Sequence, residues 1–171
     1  MSKLTRMKMG LLSGVLCLAG LAPAWGDTMG VPPGQPAPNF IGRTLDGQAY
    51  RLKADVGRPK VINFFAITCR PCAQEMPELA ALARQFPGVE FISVNTADDD
   101  PASVKKFLAT LPAAPTNIVL TSGGLQEIIH YPGLPHTLAL DRDNVVQANF
   151  SGYTPDNIRH LRAMLPALAG H

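Results

Sequence analysis

The hydrophobic positions divide the chain into stretches of different period. Val61 to Ala66 is apolar at every position except Asn63, the pattern of a strand buried on both faces. Beyond it the period lengthens to three and four: Met76, Leu79, Leu82, Ala83 and Phe86 fall on one side of a helix. Pro77 lies inside that helix. It lacks an N–H and its ring crowds the carbonyl of Ala73, so a kink is predicted there. Val89 to Val94 predicts the next strand. Asp100-Pro101 then predicts a helix start, with Asp100 as N-cap and the helix running from Ala102 to Thr110. An apolar segment, Ile118 to Leu120, and a short helix around Leu125 to His130 follow. Gly133-Leu134-Pro135-His136-Thr137 leads into the run Leu138 to Leu140, Asp141 to Asn144 turns the chain, and Val145 to Phe150 returns as a paired strand. The last helix is predicted to be capped by Thr154, with Pro155 at its first position and Ile158, Leu161, Leu165 and Leu168 as its buried stripe. Ahead of the first buried strand, Phe40-Ile41 and Tyr50-Arg51-Leu52 flank Asp46-Gly47, a hairpin signal.

Two segments stand outside this pattern. Residues 1 to 26 carry Lys3, Arg6 and Lys8, then the apolar stretch Leu11 to Leu21, then small residues in Ala22-Pro23-Ala24-Trp25-Gly26, which reads as an export signal. Cleavage after Ala24 and cleavage after Gly26 fit equally well. The apolar run is shorter than the roughly 20 residues of a spanning helix, so cleavage is expected over retention as an anchor. A lipoprotein site at Cys17 is disfavoured by the bulky Leu16 before it. Residues 27 to 38 are rich in proline and glycine and read as a linker, leaving 39 to 171 as one folded domain.

With 171 residues, 46% apolar and 16% charged, the chain has the balance of an ordinary globular domain with a sizeable core. The leader holds three of the fifteen basic residues and no acidic one, so the remainder carries twelve against thirteen, a formal charge of −1. Nothing in that balance points to nucleic acid.

The candidate chemistry lies at Cys69-Arg70-Pro71-Cys72, between the buried strand and its helix. A helix start offers unpaired N–H groups and the positive end of the macrodipole, which stabilise the thiolate that attacks disulfides. Cys69 is therefore the expected nucleophile, and Cys72, on the first turn, the thiol that resolves the mixed disulfide. Cys17 goes with the leader, so no further cysteine remains to complete a zinc site. A bridge across two intervening residues also closes too small a loop to restrain the unfolded chain much. Arg70 is a cation that favours the Cys69 thiolate and moves the couple toward oxidising behaviour. The run Asp98-Asp99-Asp100 reads as capping plus a solvated loop, because no carboxylate cluster elsewhere completes a metal site.

Strand, C-x-x-C, helix, strand, helix, then a proline-led strand pair and a final helix is the order of the thioredoxin fold. Across Pro38 to Leu168 the sequence resembles the exported TlpA/ResA-type thiol:disulfide oxidoreductases, which include reductases of cytochrome c maturation. The resemblance implies an α/β thioredoxin-like fold: a central mixed β-sheet flanked by helices, with an N-terminal β-hairpin. It matches Cys69 and Cys72 to the redox pair, Glu75 to the acid beneath the dithiol, Pro77 to the kink proline and Pro135 to the cis-proline facing the active site. Leu134, before that proline, would present its N–H and C=O to an incoming peptide. Glu75 would take the resolving thiol's proton or, by its charge, raise thiol pKa values. Asn63 stands six residues before Cys69, where cytosolic thioredoxins usually carry a buried aspartate.

The departures are Thr68 before the first cysteine and Phe65, where the family commonly has tryptophans; both thin the aromatic edge of the docking surface. Substrate contacts are expected from Thr68, Arg70, Leu134 and His136. No cofactor and no metal are expected beyond the redox-active disulfide. The expected partners are disulfide- or thiol-containing proteins and a membrane thiol donor that supplies electrons to a periplasmic monomer. The rival reading is a copper-binding assembly factor using Cys69, Cys72 and His136. It competes with a surface position for His136 beside Pro135, the reading favoured here; His130, His160 and His171 are likewise read as surface residues. A peroxidase is disfavoured because Ala66 occupies the position where peroxidases of this fold place threonine.

Overall fold

The computed structural model describes residues 30–170. The leader with Cys17, residues 27–29 of the expected linker, and His171 lie outside the described residues. Among the described residues the fold is a mixed seven-stranded sheet in the order β2-β1-β5-β4-β3-β6-β7, with four α-helices.

The hairpin signal forms β1 (Ile41–Thr44) and β2 (Ala49–Arg51), antiparallel, with Gly47 at φ 87° in the turn, a conformation that favours glycine. The apolar run forms β3 (Lys60–Phe65), buried at all six positions. It pairs in parallel with β4 (Glu90–Asn95) and antiparallel with β6 (His136–Leu140), so it is the central strand. Lys60 is fully buried because Nζ donates to the Arg58 carbonyl at 2.8 Å and lies 3.5 Å from an Asp55 carboxylate oxygen.

Helix α1 (Arg70–Gln85) follows β3 and continues through Pro77 as one element. Helix α2 (Pro101–Leu108) starts as expected, with the Asp100 carboxylate accepting from the N–H groups of Ala102 and Ser103. Next come β5 (Ile118–Leu120), the short α3 (Leu125–Ile129), and, after β6, β7 (Val146–Ser151) and α4 (Pro155–Gly170). All four residues of the α4 stripe are buried, and Thr154 Oγ1 accepts from Asn157 N at its start.

Alternation along the central strands sorts the core between two faces. Ile62, Phe64, Leu138 and Leu140 join the face covered by Phe40, α3 and Tyr131. Val61 and Ala139 pack with Leu79 and Leu82 of α1 and with the α4 stripe on the other. Phe65, Cys72 and Met76 form a third cluster with Val104 of α2. Residues 30–38, linker-like in composition, are held along β7. Gly34 N donates to Val146 O, Val146 N to Gln35 O and Ala37 N to Asn144 O, and Val31 is buried in the core.

Candidate active site

The dithiol sits between the C-terminal end of the central strand β3 and the start of α1. Cys69 is the N-cap of α1 and is bonded to Cys72 as a disulfide, with Cα atoms 5.3 Å apart. Cys72 N donates to Cys69 Sγ at 3.2 Å, so one of the orphan N–H groups of the helix start points at the sulfur. Cys69 is half-buried and Cys72 fully buried, which leaves Cys69 as the sulfur an outside partner can reach. Thr68 and Arg70 flank it, both exposed.

The loop that delivers Cys69 is braced from the next crossover. The Asp99 carboxylate accepts from Ile67 N at 3.3 Å and from Asn95 Nδ2 at 2.8 Å, and Cys69 N donates to Ala66 O. Asp99 thus does more than the solvated-loop reading allowed it. Its partners come from two other strand ends, which a run of three aspartates does not reveal.

Opposite the dithiol, the Leu134–Pro135 peptide is cis. Leu134 is half-buried and packs in the cluster that holds Cys69, Cys72 and Phe65. Pro135 is buried, with its carbonyl accepting from Gly152 N.

Beneath Cys72, one helical turn along α1, lies Glu75, only 2% exposed. Its carboxylate accepts from Asn63 Nδ2 at 2.6 Å and from Thr137 Oγ1 at 3.3 Å, and Asn63 Nδ2 is also 3.2 Å from Thr137 Oγ1. Asn63 and Thr137 are register partners across β3 and β6 and face α1. Burial pushes the Glu75 carboxyl up to about 7, while the Thr137 and Asn63 hydrogen bonds pull it back. A group with that value exchanges a proton at neutral pH. Thr137 is the member of this set that sequence reasoning missed. The available signal was a second polar residue in an apolar strand pair, but only the register shows that it meets Asn63.

His136 is corrected: it is not a surface residue but has no exposed surface at all. As the first residue of β6 it points to the face opposite Thr137, where it stacks on Phe64 and Tyr131 with ring centroids 6.2 and 5.8 Å away. It therefore offers nothing to a substrate. Burial lowers it to about 4, keeping the ring neutral. Among the described residues no three His, Cys, Asp or Glu side chains converge on a point, so the copper set of Cys69, Cys72 and His136 is not assembled. His130 and His160 are exposed as expected.

Comparison with known proteins agrees with this geometry. The family model described as Redoxin matches residues 32–165. The thiol-disulfide oxidoreductase ResA of Bacillus thuringiensis subsp. konkukian is 32% identical over 124 residues, covering 70% of this chain and 69% of the relative. ResA of Geobacillus thermodenitrificans is 27% identical over 175 residues, covering 97% of this chain and all of the relative. Among solved structures, a thio-disulfide isomerase from Thermus thermophilus is 30% identical with a TM-score of 0.62, covering 80% of this chain and 97% of that one. A thiol:disulfide interchange protein of the thioredoxin family from Chlorobium tepidum TLS superposes with a TM-score of 0.65 at 21% identity, over 82% of this chain and 99% of that one, a likeness of fold.

Proposed function

The chain belongs to the redoxin family, as a thioredoxin-like thiol-disulfide oxidoreductase of the ResA/TlpA type, and from that premise we propose that it works as a reductant of disulfides in partner proteins. The observation that carries the exchange chemistry is the buried Glu75 carboxyl one helical turn beneath Cys72, hydrogen-bonded to Asn63 and Thr137 and raised by burial to about 7; the reducing direction is drawn from the resemblance to ResA.

In the forward direction the reduced protein presents Cys69 as a thiolate at the start of α1. The thiolate attacks one sulfur of a partner disulfide. A Cys69–partner bond forms, the partner's S–S bond breaks, and its second sulfur leaves as a thiolate that picks up a proton. Cys72 then loses its proton to the Glu75 carboxylate and attacks Cys69 Sγ, expelling the partner's first sulfur. The partner has gained two electrons and two protons, and the protein is left with the Cys69–Cys72 disulfide. Glu75 returns its proton to solvent or to the departing thiolate.

Thr68 and Arg70 are exposed beside Cys69 and, with Leu134, are proposed to meet the partner. Pro135 closes the opposite wall. His136 is excluded from that set by its burial. The other proposals follow from the leader and the resemblance. Residues 1 to 26 export the chain to the periplasm, the folded domain acts as a monomer, and a membrane thiol donor reduces the disulfide again without a bound cofactor. Cytochrome c maturation is the process the resemblance favours.

The direction is tested by equilibrating the Cys69–Cys72 couple against glutathione. A reductant requires a midpoint well below the roughly −180 mV of protein disulfide isomerase. A value near the roughly −120 mV of a strong oxidant would overturn the proposed direction.

A further inference from the structure

A carboxyl that must accept a proton and then release it needs hydrogen-bond partners in both of its states. The ionised form only accepts, whereas the acid also donates. Glu75 is buried, so any state left unpartnered is disfavoured there. Both of its partners are neutral and both are two-way groups. The Thr137 hydroxyl donates to a carboxylate or accepts from an acid. The Asn63 amide donates through Nδ2, as it does here, and carries an acceptor on its other arm.

That other arm is free. Asn63 is 1% exposed, and its Oδ1 has no hydrogen-bond partner among the described residues. A half turn of the amide would bring Oδ1 to the Glu75 oxygen now 2.6 Å from Nδ2, where it would accept the proton of the acid form. No fixed charge holds Glu75 in either state. The elements packed against it contribute Asn63 from β3 and Thr137 from β6. Its own helix contributes Cys72 one turn before and Glu78 one turn after, and no ionic side chain is among the influences on its proton affinity.

We infer that Asn63 and Thr137 are positioning residues that hold the Glu75 carboxyl under Cys72 and hydrogen-bond both its ionised and its protonated form, so that the proton of the resolving thiol can come and go. The inference rests on the proposed role of Glu75. Asn63 does here what a charged neighbour could not: an aspartate at 63 would compete with Glu75 for a single proton.

The test uses the reduced full chain and 5,5′-dithiobis(2-nitrobenzoate) in stopped flow. Cys69 attack releases one nitrothiobenzoate and leaves a mixed disulfide; Cys72 attack on Cys69 releases the second in a concentration-independent phase. The protein loses two electrons and the probe gains them. In the wild type, the second phase is expected to rise with pH through a midpoint near 7. Glu75→Gln is expected to abolish that limb. Asn63→Leu and Thr137→Val each remove a partner of both forms, and the charge-assisted bond to the ionised form is the stronger of the two, so each should keep the limb and move its midpoint up by about one unit, a loss of about fivefold in second-phase rate at pH 7. Thr137→Ser, which keeps the hydroxyl, should restore the wild-type midpoint, and the Thr137 pair decides the matter alone if Asn63→Leu does not fold. Wild-type midpoints in Asn63→Leu and Thr137→Val, beside a lost limb in Glu75→Gln, would overturn the inference and leave the role of Glu75 standing. An unchanged limb in Glu75→Gln would overturn both.

Discussion

A side chain at Gly30 has no room and no comfortable backbone. Its φ is 92°, and a Cβ built there would lie 2.8 Å from His136 Cε1 and 2.9 Å from Nε2. Gly34, four residues on, has φ 83° with nothing within 4 Å of the same position. The pair separates backbone strain from contact. Gly34→Ala is expected to cost about 1 kcal/mol and Gly30→Ala about 2–3 kcal/mol, read as melting temperatures of the oxidised protein. Equal losses would show that the segment does not press on His136. At this scale the sequence was most legible where spacing along one helix does the work: Cys69, Cys72 and Glu75 recur at three-residue steps, and α1 puts all three together. It was least legible where two distant strands meet. Thr137 lies 62 residues from Glu75, and its role depends on register. The outward reading of His136 failed for the same reason, since which face takes the first residue of β6 is decided by its pairing with Phe64.

Among the elements, β6 shows how alternation separates functions. Thr137 faces α1 and holds Glu75, while His136, one residue earlier, is buried on the other face. The two buried titratable groups respond to pH in opposite senses. Glu75 keeps its proton when folded up to about 7, against an ordinary 4.5, so its contribution to stability is fully present below pH 4.5 and is lost as pH rises through 7. His136 stays neutral when folded down to about 4, against an ordinary 6.5, so its contribution is fully present above pH 6.5 and is lost as pH falls through 4. Between 4.5 and 6.5 the two slopes, each about 1.4 kcal/mol per unit, oppose one another. Glu75→Gln leaves the His136 slope uncovered. Relative to wild type, the variant should gain stability by about 2–3 kcal/mol from pH 4.5 to 6.5, measured by urea unfolding of the oxidised protein at each pH. Parallel curves for the two proteins would contradict the burial-driven shift of Glu75. The elements themselves were readable from periodicity, with bounds displaced by a residue or two. One of the two-residue displacements is β6, which begins at His136 ahead of the apolar run, because strand pairing extends beyond the hydrophobic positions.

For the whole molecule, the order of elements was enough to read an α/β thioredoxin-like fold, and the seven-stranded mixed sheet bears that out. The sheet's two faces carry different tasks. One supports α1 and α4, and with them the dithiol and its acid. The other is closed by α3, by Phe40 ahead of the hairpin, and by Val31. That last contribution was hidden because proline and glycine composition describes a segment without its partners. The docking of residues 30–38 depends on carbonyls and N–H groups of β7 and of the turn before it.

The arrangement as a whole makes one sulfur accessible and the other internal, and the central claim is that this asymmetry assigns the roles: Cys69 attacks and Cys72 resolves. The most direct measurement mixes the reduced Cys72→Ser and Cys69→Ser variants with a disulfide-bonded protein such as insulin and counts mixed disulfides on a non-reducing gel. Cys72→Ser is predicted to accumulate the mixed disulfide through Cys69, and Cys69→Ser to accumulate almost none. Equal trapping by Cys69→Ser would contradict the assignment.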